Sequence, residues 1–202
     1  MSSMNFFNVE KEIKNIKKEL HFSFDVADRT LKKGSVTIGF IYLKSFTDNL
    51  IFSTAIYQPI SDLNEEISFS SVKNIVQAND VKEIKKEEIV DNILKGAVII
   101  LMNNSDKILS VDIQKFNARA PSEPPTTPVI QGPREGFTED IKTNLGLLRK
   151  RFYSSDLVLK NFDVGKRTKT QIVIAYLDSV VDKKIVKEIE KKLKKIDIDG
   201  VV

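Results

Sequence analysis

The sequence predicts an α/β fold, in its α+β form, made of two small subdomains, each a mixed β-sheet packed with helices, joined by a Pro-rich connector. Three observations carry this expectation. Five of the six prolines fall within residues 118–136. Short apolar, β-branched runs alternate with amphipathic helical segments on both sides of that stretch. A helix–strand–strand–helix pattern also occurs twice, once before the connector and once after it. The expected boundaries are 1–117 for the first subdomain, 118–136 for the connector and 137–202 for the second.

In the first subdomain, Val9, Ile13, Ile16 and Leu20 recur at spacings that put them on one face of a helix, with Lys and Glu elsewhere around it. The following HFSFDVADRTLKKGS reads as a strand with a turn at Lys33-Gly34, and VTIGFIYL (36–43) as a buried strand. Thr47-Asp48 begins a helix carrying Leu50, Ile51, Ala55 and Ile56, expected to stop near Pro59. Short helical segments follow near 70–78 and 86–94, the second ended by Gly96. GAVIILM (96–102) and KILSVDIQKF (107–116) form a hairpin around Asn103–Asp106.

Pro121, Pro124, Pro125 and Pro128 remove backbone donors and push the residues before them toward extended conformations, so the connector is neither helix nor central strand. Beyond it, Thr138 is expected to cap a helix with Glu139 and Asp140 in its first turn. Arg149, Lys150 and Arg151 fall in its last, where their charge complements the helix dipole. Ile141, Leu145, Leu148 and Phe152 make its apolar stripe. DLVLKNFDV (156–164) and TQIVIAYL (170–177) read as strands around the turn GKRTK. Ile185, Ile189, Leu193 and Ile196 then form the stripe of a Lys-rich helix, expected to pack on the second sheet. DIDGVV (197–202) suits the start of one more strand.

The repeat has internal landmarks. Both copies carry an Asp at a strand start (Asp25, Asp156), an apolar strand ending Tyr-Leu, and an Asp six residues after that Tyr (Asp48, Asp182). The second pair reads as helix caps. The first reads as strand-edge acids with no partner visible in the sequence.

Composition narrows the function. Hydrophobic residues at 41% and charged ones at 30% suit an ordinary soluble domain. With no cysteine there is no disulfide framework, thiolate metal site or cysteine nucleophile. The one histidine, His21, reads as a packing or solvated residue, because an imidazole without partners is not a site. The longest apolar run, 97–102, is far short of the ~20 residues a spanning helix needs. Of the net +4 charge, the second part supplies the excess: residues 119–202 hold 17 basic and 12 acidic side chains, against 15 and 16 in residues 1–118. The terminal helix could meet an anionic membrane surface. Nucleic acid is not expected, since no aromatic residues are interleaved with the lysines.

No phosphate loop, dinucleotide fingerprint, nucleophile elbow or zinc-protease motif is present, so neither a cofactor nor enzymatic activity is expected. Glu65-Glu66 and Glu87-Glu88 read as solvated faces. What stands out is Gly132-Pro133-Arg134-Glu135-Gly136-Phe137, a charged pair held between glycines at the junction. Arg134 and Glu135 pair with neighbours to lock the connector, or read a ligand or hinge movement; Arg119 could join either arrangement.

The connector also carries a resemblance. Arg119, Glu123-Pro124, the run Ile130-Gln131-Gly132-Pro133-Arg134-Glu135-Gly136-Phe137-Thr138-Glu139, then Asn144 and Arg149-Lys150-Arg151 resemble the signature of the A-subunit family of bacterial spore germinant receptors, which includes stage V sporulation protein AF. Weaker likeness spans nearly the whole chain, through YLKSFTD (42–48), GKRTKT and YLDSVVDKK. Gln131 and Pro128 depart from the pattern, where an Arg and an acid are usual. The resemblance implies a soluble N-terminal domain that precedes a membrane portion in the spore inner membrane. It further implies nutrient sensing, with B- and C-type subunits and further A subunits as partners and small nutrient germinants as possible ligands. On this basis the chain is expected to be an excised domain lacking its C-terminal membrane portion. Arg119, Glu123, Arg134, Glu135, Asn144 and Arg151 become the candidate interdomain or functional contacts. The doubled unit suggests an alternative, a two-lobed transporter-type module closing on an amino acid or sugar.

Overall fold

The computed structural model describes residues 8–63, 67–78, 80–113 and 136–196. Helix α1 (Val9–Glu19) is capped by Asn8, whose side chain accepts the Lys11 N–H. Strands β1 (Val26–Lys33) and β2 (Val36–Leu43) pair antiparallel across a two-residue turn, with Gly34 at φ 59°, the left-handed conformation tight hairpins favour. Asp48 opens α2 (Asn49–Ile51) by accepting the Leu50 and Ile51 N–H groups.

That helix does not stop at Pro59. It passes through a π-helical stretch (Phe52–Tyr57) into α3 (Gln58–Asp62), where the proline sits in the first turn. Proline at position 59 leaves the Ala55 carbonyl without its helical donor, and Gln77 N–H takes that role at 2.9 Å. Long-range pairing thus overrides the local break signal. Helix α4 (Phe69–Ile75) follows, then β3 (Asp80–Ile84), a polar edge strand the sequence pattern did not reveal. A 3₁₀ turn (Lys86–Glu88) leads into α5 (Ile89–Leu94), and β4 (Val98–Met102) and β5 (Ile108–Asp112) complete the sheet. Its order is β1-β2-β4-β5-β3.

Alternation along β2 separates two cores. Ile38, Phe40 and Tyr42 face α3, α4 and the π turn; Ile41 and Leu43 face α1 and α5. Gly39 lies on the second face because α1 crosses there: a Cβ built on it would stand 2.4 Å from Val9 Cγ1 and 2.8 Å from Ile13 Cδ1.

Beyond the connector come α6 (Ile141–Arg151), β6 (Leu157–Val164), β7 (Thr170–Leu177) and α7 (Lys183–Leu193). β6 and β7 form a separate two-stranded sheet. Every described strand pairing in the molecule is antiparallel, which makes the architecture α+β.

Three expectations change here. The cap of α6 is Asp140, not Thr138: its carboxylate accepts the Lys142 and Thr143 N–H groups, while Thr138 lies before the helix and gives its own N–H to Asn144 Oδ1. Phe152 ends the α6 stripe 44% exposed. The α7 stripe does not bury itself either; Val186 is the residue that enters the core, while Ile185, Ile189 and Ile196 stay 55%, 39% and 40% exposed. The expected caps Asp48 and Asp182 are both present. The prolines of the connector and the DIDGVV segment lie outside the described residues.

Candidate functional site

Arg149 organises the junction between the two sheets. Its side chain is 1% exposed although it sits in the last turn of α6, where the sequence suggested only a dipole partner. The guanidinium forks onto Asp25, with Nε donating to Oδ2 and Nη2 to Oδ1, each at 2.8 Å. Nη2 also donates to Ser23 Oγ at 2.9 Å, and Nη1 to the Ser154 carbonyl at 3.3 Å. Ser23 in turn donates to Asp25 and accepts the Leu159 N–H. Such planar two-point contact suits arginine and carboxylate, and the added donors offset the cost of burying both charges.

The backbone joins at the same place. Phe24 N–H donates to the Leu159 carbonyl at 2.8 Å, so the residues just before β1 lie along the edge of β6. The Phe24 ring packs with Leu145, Leu157 and Leu159, inside the core of the second sheet. Asp25 therefore corrects the expectation of an acid without a partner. Asp156, its repeat counterpart, is also engaged, accepting the Ser179 N–H and hydroxyl.

Further contacts cross the junction at the surface. Tyr153 donates to the Asp91 carboxylate at 2.6 Å. Burial, reinforced by this hydrogen bond, pushes the Tyr153 hydroxyl well above its ordinary range. Lys95 and Tyr153 together hold the Asp91 carboxyl below its own. His21 Nδ1 lies 3.4 Å from Asp178, whose carboxyl is held low chiefly by Lys183.

Beside the Arg149–Asp25 pair opens a cleft of about 620 Å³. One wall comes from the first sheet and its helix: Arg29, Tyr42, Lys44, Asn49, Phe52 and Ser53. The other comes from α6 and β7: Ile141, Lys142, Leu145 and Gln171. This size falls within the roughly 300–1,000 Å³ of small-ligand sites, with a similar mix of apolar walls and a few polar groups. Arg29 stacks over Tyr57, its guanidinium carbon 4.6 Å from the ring centroid, and Lys44 Nζ lies 4.9 Å from that of Phe24. Lys142 Nζ reaches the Thr47 carbonyl at 3.0 Å. Burial raises the Tyr42 hydroxyl pKa, with Arg29 opposing, so it stays a neutral donor. Among the described residues, none of Arg29, Lys44 and Lys142 forms a salt bridge, and the one carboxylate on the lining, Asp25, is neutralised by Arg149. The cleft is cationic, with aromatic walls.

The residues named from the sequence fall elsewhere. Arg119, Glu123, Arg134 and Glu135 lie outside the described residues. Asn144 closes the entry to α6, its amide donating to the Thr138 carbonyl at 2.7 Å and its oxygen accepting the Thr138 N–H. Arg151 is exposed at the end of the same helix. Arg149, Asp25, Ser23 and the cleft cations were missed as a group, because they meet only through the tertiary fold. The one available signal was the basic run Arg149-Lys150-Arg151 in a half-apolar helix. Among the described residues no group of three or more His, Cys, Asp or Glu side chains could hold a metal ion, and no helix is long and apolar enough to cross a membrane.

Comparison with known proteins adds a second line of information. Residues 14–202 match the model of the Bacillus/Clostridium GerA spore germination protein family. Spore germination protein KA of Bacillus subtilis is 28% identical over 96% of this chain and 37% of its own length. Stage V sporulation protein AF of the same organism is 30% identical over 88% of this chain, again 37% of its own. The chain thus spans little more than a third of these relatives. Among solved structures, the N-terminal domain of the A subunit of the Bacillus megaterium spore germinant receptor GerK3 is similar with a TM-score of 0.70 and 25% identity, covering 96% of this chain and 74% of that one.

Proposed function

The chain belongs to the Bacillus/Clostridium GerA spore germination protein family, and we propose that it acts, without catalysis, as the nutrient-sensing N-terminal domain of a germinant-receptor A subunit. In this reading residues 1–117 and 137–202 are two lobes about the 118–136 connector. A small nutrient enters the cleft between them, and lobe closure is passed to a membrane portion in the spore inner membrane. B- and C-type subunits and further A subunits are the partners that receive the movement.

The cleft is the observation that carries the proposal. Its lining is drawn from both sheets, so a ligand touching Arg29 or Lys44 on one side and Lys142 or Gln171 on the other is stabilised only when the lobes are near each other. Differential binding of this kind is what lets a ligand shift a conformational equilibrium. Its cations and aromatic walls suit a carboxylate joined to an apolar group, the chemistry of a free amino acid.

The same cleft supports the second reading, a transporter-type binding module that works apart from a receptor. Titrating the ¹⁵N-labelled chain with amino acids and sugars tests what the two readings share. Shifts at Arg29, Lys44, Lys142 and Gln171, abolished by Arg29→Ala, are expected for at least one ligand; no shift with any of them sinks direct sensing. Co-expression with B- and C-type subunits separates the two. Stable co-purification supports the receptor reading, and binding without association supports the free module.

A further inference from the structure

The two copies of the repeat can be laid over each other residue by residue. β2 and β7 correspond, pairing Ile38 with Ile172, Phe40 with Ile174, Tyr42 with Tyr176 and Leu43 with Leu177. The hairpin registers agree as well: Val26 faces Leu43 in the first copy, and Leu157 faces Leu177 in the second. Beyond the hairpins the copies differ. β2 is sandwiched between β1 and β4, whereas β7 has β6 as its described neighbour.

The exposed surface of the second copy maps onto what the first copy covers. Ile38, Phe40 and Leu43 are fully buried; Ile172, Ile174 and Leu177 are half-buried. Ile51 and Ala55 pack against the core that includes Val72 of α4 and Val76 beside it, and Ala55 is tied to Gln77. Their counterparts Ile185 and Ile189 are exposed. Sequence makes β7 an unsuitable permanent edge. TQIVIAYL has no charge and no proline, whereas natural edges are guarded by such residues. The polar edge strand β3, DVKEI, has that protection.

We infer that the outer edge of β7 and the Ile185–Ile189 stripe form a docking surface for a segment built like residues 69–113 of the first copy. In it, a short helix covers the stripe and an apolar strand pairs antiparallel with β7 as β4 does with β2. The occupant is part of the same polypeptide, in the portion that longer family members carry outside the matched stretch: this chain covers 74% of the related solved domain and 37% of the curated relatives named above. The inference stands on the internal repeat and does not depend on the sensing role.

Hydrogen exchange tests it, comparing the 202-residue chain with the polypeptide extended along its own reading frame. In an antiparallel edge strand alternate amides lack a strand partner. Those of β7 are expected to exchange on the order of a hundredfold more slowly in the extended protein. Ile185→Asn is expected to leave the Tm of the 202-residue chain unchanged and to lower that of the extended one. Equal exchange rates, or a reading frame that stops at Val202, overturn the inference. It is equally overturned if β7 is already protected in the 202-residue chain, either through a concentration-dependent dimer or on added phosphatidylglycerol vesicles, which would give the surface to a second copy or to lipid.

Discussion

The two copies of the repeat start from matched sequences and end in different physical situations. Asp25 and Asp156 occupy the same place, one residue before the first strand of a hairpin, and both accept from the matching serine two residues after that hairpin, Ser45 and Ser179. Yet Asp25 is 1% exposed and bound by an arginine 124 residues away, whereas Asp156 stays half-exposed with local partners. The helix before each hairpin supplies the reason. Arg149 of α6 passes over the acid of its own copy and takes the acid of the other. A repeated unit has thereby become an asymmetric pair, with β2 of the first copy mostly buried and β7 of the second partly exposed.

The largest expected effect breaks that asymmetry directly. Arg149→Ala leaves Asp25 buried and uncompensated, so a loss of about 3–5 kcal/mol is expected in urea unfolding. Asp156→Ala removes only partly exposed hydrogen bonds, and its loss should be near 1 kcal/mol. Similar losses for the two would mean that the junction is no more than an ordinary surface contact.

A smaller contrast lies in the matched isoleucines. Ile38→Ala empties a filled core position and should cost about 2–5 kcal/mol, while Ile172→Ala, half-exposed on β7, should cost about 1 kcal/mol. Thermal unfolding of both variants measures the difference in enclosure between the copies.

The smallest effect is in pH dependence. Tyr153 is an acid whose pKa is raised in the folded state, from 10.0, by burial and by its bond to Asp91. Well below pH 10 both states hold the proton and nothing changes. Above it the unfolded state deprotonates first, so stability falls as pH rises toward the folded value. Tyr153→Phe should therefore flatten the alkaline slope of the urea midpoint between about pH 9 and 11. An unaltered slope would show that the Tyr153–Asp91 contact does not persist in solution.

Much of the fold was legible because its causes are local. Apolar spacings placed α1, α6 and α7, alternation and β-branching placed the paired strands, and Asp48 and Asp182 announced their helices by sitting where backbone N–H groups lack partners. The errors fall where distant chain competes with local preference. Pro59 reads as a stop, yet Gln77 satisfies the carbonyl the proline orphans. Thr138 and Asp140 are both good caps by type, and the Asn144 contact decides between them by engaging Thr138. β3 is polar enough to hide, being held by its ladder to β5 rather than by burial.

The candidate site divides in the same way. By itself the sequence determined the doubled unit, the absence of recognisable catalytic motifs and, through the GPREGFTE run, the family resemblance, since each is written in the residues themselves. Only the tertiary structure decided that Arg149 meets Asp25, that Arg29, Lys44 and Lys142 share one cleft, and that β6 is the one strand paired with β7 among the described residues. Those facts depend on how distant stretches of the chain are brought together. Burial and pairing across more than a hundred residues leave no periodicity in the chain that creates them.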